Sequence, residues 1–261
     1  MKLYKRICSF TIEGRKLTYP PMTLEFESEF SANGISTAKA KIMNPAHETV
    51  NKCQKVGNKF PQIIIDAGYE YDHGTCVIGE IIKWELKKGS PDWSLELTIA
   101  DKSSLWTSAI VNKSWRSFIT ARQAATELLS EFGITAVEMV FGEEKSYPNG
   151  LAFSGVSLRS ALERIARDTR SSFSFVNGQA KFYTQQAGTA TAIVLRYDSG
   201  LLEATKTEKG YKIKTLFMHK IMGNSIVQLQ FDNQMTNLKV IKGKHVFSPE
   251  SASTEFEAKR L

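Results

Sequence analysis

The period of the hydrophobic residues changes twice along this chain, and that change limits what it can fold into. From the start to about residue 105 apolar and polar positions alternate. In LEFESEF, Leu24, Phe26 and Phe30 take one face and Glu25, Glu27 and Glu29 the other. Successive side chains of a strand point to opposite sides, so this spacing predicts half-buried strands. TAKAKIMN repeats the pattern. Ile78, Ile82, Trp84 and Leu86 line up in IGEIIKWEL, and Trp93, Leu95, Leu97 and Ile99 line up in WSLELTIA. QIIID (62–66) is a continuous apolar run, which predicts a strand covered on both faces. KKGSPD, between the last two strands, has the composition of a turn.

After residue 105 the period becomes helical. In TARQAATELLSEFG the apolar residues recur at i, i+3, i+4 and i+7, Thr120 and Gln123 form a capping box, and Gly133 suits the carboxyl end. In SLRSALERIARDTR, Ser157 caps a second stripe made by Leu158, Ala161, Leu162, Ile165 and Ala166. Each helix needs a sheet to cover. ITAVEMVF and SFSFVNGQAKFY supply one, with Asn177-Gly178 as a hairpin turn. QQAGTATA (185–192) reads as a linker, after which the period returns to two in AIVLRY, YKIKTLFM, SIVQLQF, LKVIKGKHVF and STEFEAKRL. The fold class is therefore mainly β within α+β. A β-barrel module over 1–105 and a second over 193–261 flank a small α+β insertion over 106–192. Leu24, Phe26, Ile64, Trp84 and Leu97 are expected in the first core, with Leu128 and Leu162 anchoring the helices. Each β module is small, so its strand edges are expected to pair with another module or subunit.

Candidate chemistry is sparse. Asp72, His73 and Cys76 lie within five positions in YEYDHGTC, and the hydrolase alternative would use Cys76 as nucleophile with His73 as its base. The same residues sit between two strand patterns, where Asp, His and Gly74 read as a turn with positive φ at the glycine. FSGVS (153–157) approaches a nucleophile elbow, but Gly155 occupies the nucleophile's place and Ser157 is needed as a cap. His47, His73, His219 and His245 show no ligand spacing, and phosphate-loop and dinucleotide signatures are absent. No catalytic residue, cofactor or metal is therefore assigned. Cys8, Cys53 and Cys76 form no C-x-x-C pair and are expected as reduced thiols. The amino terminus lacks a secretory apolar run, and no stretch approaches the length of a membrane span, so membrane insertion is not expected. Lys and Arg exceed Asp and Glu by 34 to 27, and the excess is spread along the chain. Arg159, Arg164, Arg167 and Arg170 lie off the apolar stripe of the second helix, offering either a solvated face or a partner-contact face, as in a nucleic-acid-binding module.

The order of segments carries one further signal. LTYPPMTLEFESEF, AKIMNP, IIIDAGY, VIGEI and the Trp hairpin ending in IADKSS resemble, in sequence, the first module of phage tail baseplate hub proteins, the T4-like and Mu-like central hubs. LAFSGVSLRSALERIARDTRSSFSFVNGQAKFY resembles their α+β insertion, and SGLLEATKTEKGYKIKTL through VIKGKHVF their later β module. The shared pieces are Ala67-Gly68-Tyr69, Gly79, Gly155, and Gly243 with His245. The resemblance implies a virion structural protein with two domains like tail-tube subunits. Three chains would then form a pseudo-sixfold ring joining a sixfold tube to a threefold spike around the DNA channel. Implied partners are further copies of itself, the tail tube protein, a spike or tip protein and the tape-measure protein, with transient, non-specific contact with phage DNA. The implied location is the tail baseplate, after synthesis in the bacterial host cytoplasm. The acidic Gly-Asp that often follows the terminal histidine in the family is replaced by FSPES, which bears on the partner of the last module. Lytic activity is not implied, because in such tails it belongs to appended domains.

Overall fold

The protein is described by a computed structural model covering residues 5–32, 36–57, 59–101, 109–176, 179–184, 188–232 and 234–261. The expected Asn177-Gly178 turn, the KSS of IADKSS and the start of QQAGTATA lie outside the described residues. Contacts group the chain into two compact units: Met1–Ala32, Ser36–Asp101 and Thr189–Leu261 in one, Asn33–Ile35 and Lys102–Gly188 in the other.

The first unit opens with β1 (Arg6–Ile12), β2 (Arg15–Tyr19), β3 (Leu24–Ser31) and β4 (Thr37–Met43). A short helix, α1 (His47–Lys52), follows, then β5 (Gln62–Tyr69), β6 (Asp72–Lys88) and β7 (Trp93–Ala100). Alternation holds in β3, where Leu24, Phe26, Ser28 and Phe30 are buried, and in β4, where Ala38, Ala40 and Ile42 are. The QIIID strand departs from expectation. Ile63 and Ile65 are buried, but Ile64 is 37% exposed and pairs across the sheet with Ile78, itself 36% exposed. One face of this strand is therefore open in the single chain, and Ile64 is not a core residue.

The phase of β6 also differs. Cys76 and Ile82 are extra residues at register shifts, and an extra residue turns every later side chain to the other face. Val77 and Ile81 therefore point to the core instead of Ile78 and Ile82, and beyond the second bulge Trp84 and Leu86 pack against it.

The second unit begins with β8 (Ile110–Trp115), β9 (Ile119–Thr120) and α2 (Ala121–Glu131). The capping box is present: Thr120 Oγ1 accepts from Gln123 N at 3.2 Å, and Gln123 Oε1 accepts from Thr120 N at 3.3 Å. Next come β10 (Thr135–Met139), β11 (Ser146–Tyr147), β12 (Leu151–Ser157) and α3 (Leu158–Asp168), which Ser157 caps by accepting from Ser160 N at 3.2 Å. The unit ends with β13 (Ser172–Val176) and β14 (Gln179–Tyr183). As expected, ITAVEMVF and SFSFVNGQAKFY supply a sheet, ordered β10-β14-β13. Leu128, Leu162, Phe175 and Phe182 lie in one apolar core.

The chain then returns to the first unit with β15 (Thr189–Leu195), β16 (Leu201–Thr207), β17 (Gly210–Leu216), β18 (Ser225–Phe231), β19 (Gln234–Phe247) and β20 (Ala252–Arg260). β16 had no counterpart among the expected strands. Its sequence LLEATKT buries only Leu201 fully, so an edge position leaves it without alternation. Thirteen strands form one sheet, β16-β17-β20-β19-β3-β4-β7-β6-β5-β1-β2, with β18 on β19 and β15 on β18. β19 is the strand on which the sheet turns. Its first half pairs β18 and its second half, from Lys242, pairs β3, while β20 follows its other edge. The bulge residue Ile241 stands between the halves, and its carbonyl accepts from Ala32 N at 2.7 Å.

Candidate functional site

Register places Ser28, His245, Thr254 and Thr215 side by side across β3, β19, β20 and β17. All four are buried. Two residues along in one direction, Phe26, Phe247 and Ala252 belong to one apolar core; in the other direction, Phe30, Phe256 and Ile213 belong to a second. A polar row thus crosses the sheet between two hydrophobic cores. Thr254 Oγ1 accepts from Met218 N at 3.0 Å and shares a hydrogen bond with His245 Nδ1, also at 3.0 Å. Thr215 Oγ1 donates to Leu216 O at 2.8 Å. Ser28 Oγ and His245 Nε2 have no well-formed hydrogen bond.

The His245 ring lies 4.8 Å from Phe30 and 5.2 Å from Phe217, centroid to centroid. Burial lowers its pKa to about 3, helped by His219, and the Ile221 backbone opposes this only in part. The imidazole is neutral and sealed from solvent, and its place in the row depends on the register of β19. Slipping β19 by one residue would turn Lys244 inward in its place. Gly243 belongs to the same arrangement, because a Cβ there would sit 2.5 Å from Glu255 O and 2.7 Å from the Phe30 ring.

The Asp72, His73, Cys76 grouping is taken apart by the fold. Tyr69 pairs with Asp72, so Glu70 and Tyr71 make the turn and all three residues lie within β6. The positive φ falls on Gly68, at +151°, and not on Gly74; a side chain at Gly68 would collide with the Asp72 carbonyl. Gly74 instead makes room for His219, whose Cδ2 would lie 2.7 Å from a Cβ. Cys76 is 2% exposed within the first core, which also holds Ala67 and Tyr69 at 1% and 5%, and burial pushes its thiol far above the ordinary range. An unactivated thiol of this kind is a poor nucleophile, while His73 is exposed. Asp72 is engaged elsewhere: Lys220 Nζ is 3.1 Å from its Oδ1, and His219 Nδ1 lies 3.9 Å away. Burial lowers the pKa of His219 and Lys220 adds to this, with Asp72 opposing. Sequence spacing had no means of finding this contact, because its members are 148 positions apart. Among the described residues no group of His, Cys, Asp and Glu is placed to hold a metal, and no helix is long and apolar enough to cross a membrane.

In the second unit the arginines are distributed rather than pooled. Arg159 Nε bonds Glu163 Oε1 at 2.7 Å, the Arg164 guanidinium lies 5.5 Å over the Phe153 ring, and Arg170 Nε is 3.2 Å from Glu143. Arg170 follows the end of α3, with φ +50°. Gly155 has φ +65° at the β12 bulge, where its N–H reaches Asn112 Oδ1 at 2.8 Å. Gly79 is set by space, since a Cβ would meet Ala100 O at 2.8 Å.

The solvent face of the large sheet is an ion-paired ladder. Lys214 and Glu255 approach to 2.8 Å, Glu255 and Lys244 to 4.0 Å, and Lys244 and Glu27 to 3.3 Å, so the series passes from β17 through β20 and β19 to β3. A second rung joins Lys212, Glu257 and Lys242 at 4.0 and 3.3 Å. Lys39 and Lys41 on β4 then stand opposite Glu27 and Glu25.

No protein-family model matches the sequence, and no curated protein matches it. Solved structures do match, and the fold they define is that of phage tail proteins. The chain superposes with a TM-score of 0.74 on a 43 kDa tail protein of prophage MuSo2 from Shewanella oneidensis, at 8% identity over 98% of each chain. A tail protein from Neisseria meningitidis matches with a TM-score of 0.70 and 10% identity, over 98% of this chain and 97% of that one. An E. coli component of the type VI secretion system, described as structurally similar to the T4 tail proteins gp27 and gp5, matches at 0.71 and 12% identity, over 97% of this chain and 76% of its own.

Proposed function

We propose that this chain is a structural protein of a phage tail baseplate, acting as a trimeric hub. The observation that carries the reading is the division of one sheet into two apolar cores by the row through His245, which suits a chain contributing two joined tube-like modules. The module limits proposed are 1–105 and 193–261, flanking the insertion at 106–192. Three such chains offer six modules to a ring that joins a sixfold tail tube to a threefold spike or tip, a closed assembly that satisfies two symmetries without chemistry. The fold shared with tail proteins supports this reading, with the tape-measure protein as a further neighbour and the virion baseplate as the location. Ala67, Gly68, Tyr69, Gly79, Gly155, Gly243 and His245 are proposed as scaffold positions, and the α3 arginines as a partner-contact face.

DNA passing such a ring would touch it weakly. Cations already matched by carboxylates have little counterion release to offer a polyanion. Mass photometry of the purified chain, alone and mixed with the tail tube and spike proteins of the same tail, tests the reading. A species of three times 29.2 kDa, or one that forms on mixing, is expected. A strict monomer that ignores both proteins would sink it.

A further inference from the structure

Phe118, between β8 and β9, has φ +68° and is 74% exposed. The left-handed region is costly for a bulky residue, and glycine or asparagine would occupy it more easily. The backbone is held there from a buried base. Phe118 N donates to Tyr147 O at 2.8 Å, as does Gly150 N at 3.0 Å, and the Tyr147 hydroxyl donates to Asp168 Oδ2 at 2.9 Å. Ile119 and Thr120 then pair with Tyr147 and Ser146 before Thr120 caps α2. The fold therefore fixes a strained turn and leaves its apolar ring mostly exposed among the described residues. Arg116 and Ser117 on the same turn and Lys145, Pro148 and Asn149 beside it are exposed, and the carboxylate next to Lys145, Glu144, is paired with Arg122.

We propose that Phe118 is a docking anchor, inserted into an apolar pocket with an acidic rim on a neighbouring tail protein. An aromatic ring on a rigid turn orders at little entropic cost, which is the character of an interface hot spot. Opposite charge at the rim complements Arg116 and Lys145. A lipid surface is disfavoured, because stable membrane attachment needs far more buried apolar area than one ring supplies. The proposal rests on the hub reading for the identity of the neighbour.

Binding of the wild type to the purified tail tube and spike proteins, followed by interferometry, gives the test. Phe118→Gly removes the ring and relieves the turn, so its melting temperature should stay within about 2 °C of wild type or rise. Its affinity for one of the two proteins should fall at least about tenfold. Phe118→Trp should retain binding, and Arg116→Glu with Lys145→Glu should weaken it. If the wild type trimerises and binds its partners while Phe118→Gly binds equally well, this proposal falls and the hub reading stands. If the wild type remains a monomer and binds neither protein, the hub reading fails and takes this one with it. Phe118-dependent capture by phosphatidylglycerol vesicles, with none by either protein, would also overturn it.

Discussion

At the scale of single residues the informative positions are those where a side chain is forced into, or kept out of, a crowded interior. His245 is neutral in the fold, with a pKa near 3. In the unfolded chain an imidazole titrates near 6.5. Between these values the unfolded state binds more protons, so the His245 contribution is complete above about pH 6.5 and is lost as pH falls toward 3. Urea unfolding of the wild type and of His245→Asn from pH 8 to pH 4.5 isolates it. The wild type should lose stability by roughly 1 kcal/mol more per pH unit below 6 than the variant does. Equal slopes would mean that the ring finds a charged partner on protonation. Gly243 makes the complementary point about space. Adding one methyl 2.5 Å from the Glu255 carbonyl forces strands apart, and Gly243→Ala should cost about 1–3 kcal/mol in the same assay. Neither position was assigned this role from sequence, where His245 read as a strand residue and Gly243 as part of a shared motif.

Elements were legible where their signal is local. Both long helices could be placed from period and cap alone, because Thr120, Gln123 and Ser157 satisfy amide groups within three residues of themselves. Those caps carry a direct prediction. Thr120→Ala and Ser157→Ala should each destabilise the second unit by about 1 kcal/mol, read as a lower thermal or urea midpoint, and Ser157→Asp should largely restore it. Strands were legible as far as their period stayed intact. The bulges at Cys76 and Ile82 defeat a count of alternate positions, since an unpaired extra residue is invisible until its partner strand is known. The open face of β5 shows the same limit: three consecutive isoleucines suggest burial on both sides, yet Ile64 and Ile78 meet solvent. β16 has too few buried residues to leave a pattern at all. The Asp72, His73, Cys76 grouping, expected at a turn, lies within β6 because the turn falls earlier, at Glu70 and Tyr71. Neighbours in sequence alternate in environment along a strand, so proximity of type is not proximity of function.

For the whole molecule, the question is what the paired lysines and glutamates of a broad sheet face do in a chain of net charge +7. Lys244 is the keystone, because it bonds Glu27 from the first block and lies 4.0 Å from Glu255 of the last, joining the ladder across the β3–β19 pairing. Exposed ion pairs of this kind add little stability, at most about 1 kcal/mol each, so their worth lies in the field they present. A polyanion approaching this face meets lysines that stand beside carboxylates, which lowers the counterion release that binding it could yield. Replacing Glu27 and Glu255 with Gln leaves Lys244 and Lys214 uncompensated while keeping shape and hydrogen-bonding capacity. The double variant should remain folded within about 1 kcal/mol of wild type. It should bind a fluorescent DNA duplex several-fold more tightly at low salt, with a dependence on salt steeper by about one to two phosphate contacts. Anisotropy at two salt concentrations reads both quantities. Were wild type and variant to bind alike, the ladder would not be what keeps DNA from adhering, and the balance of charge on this face would need another cause.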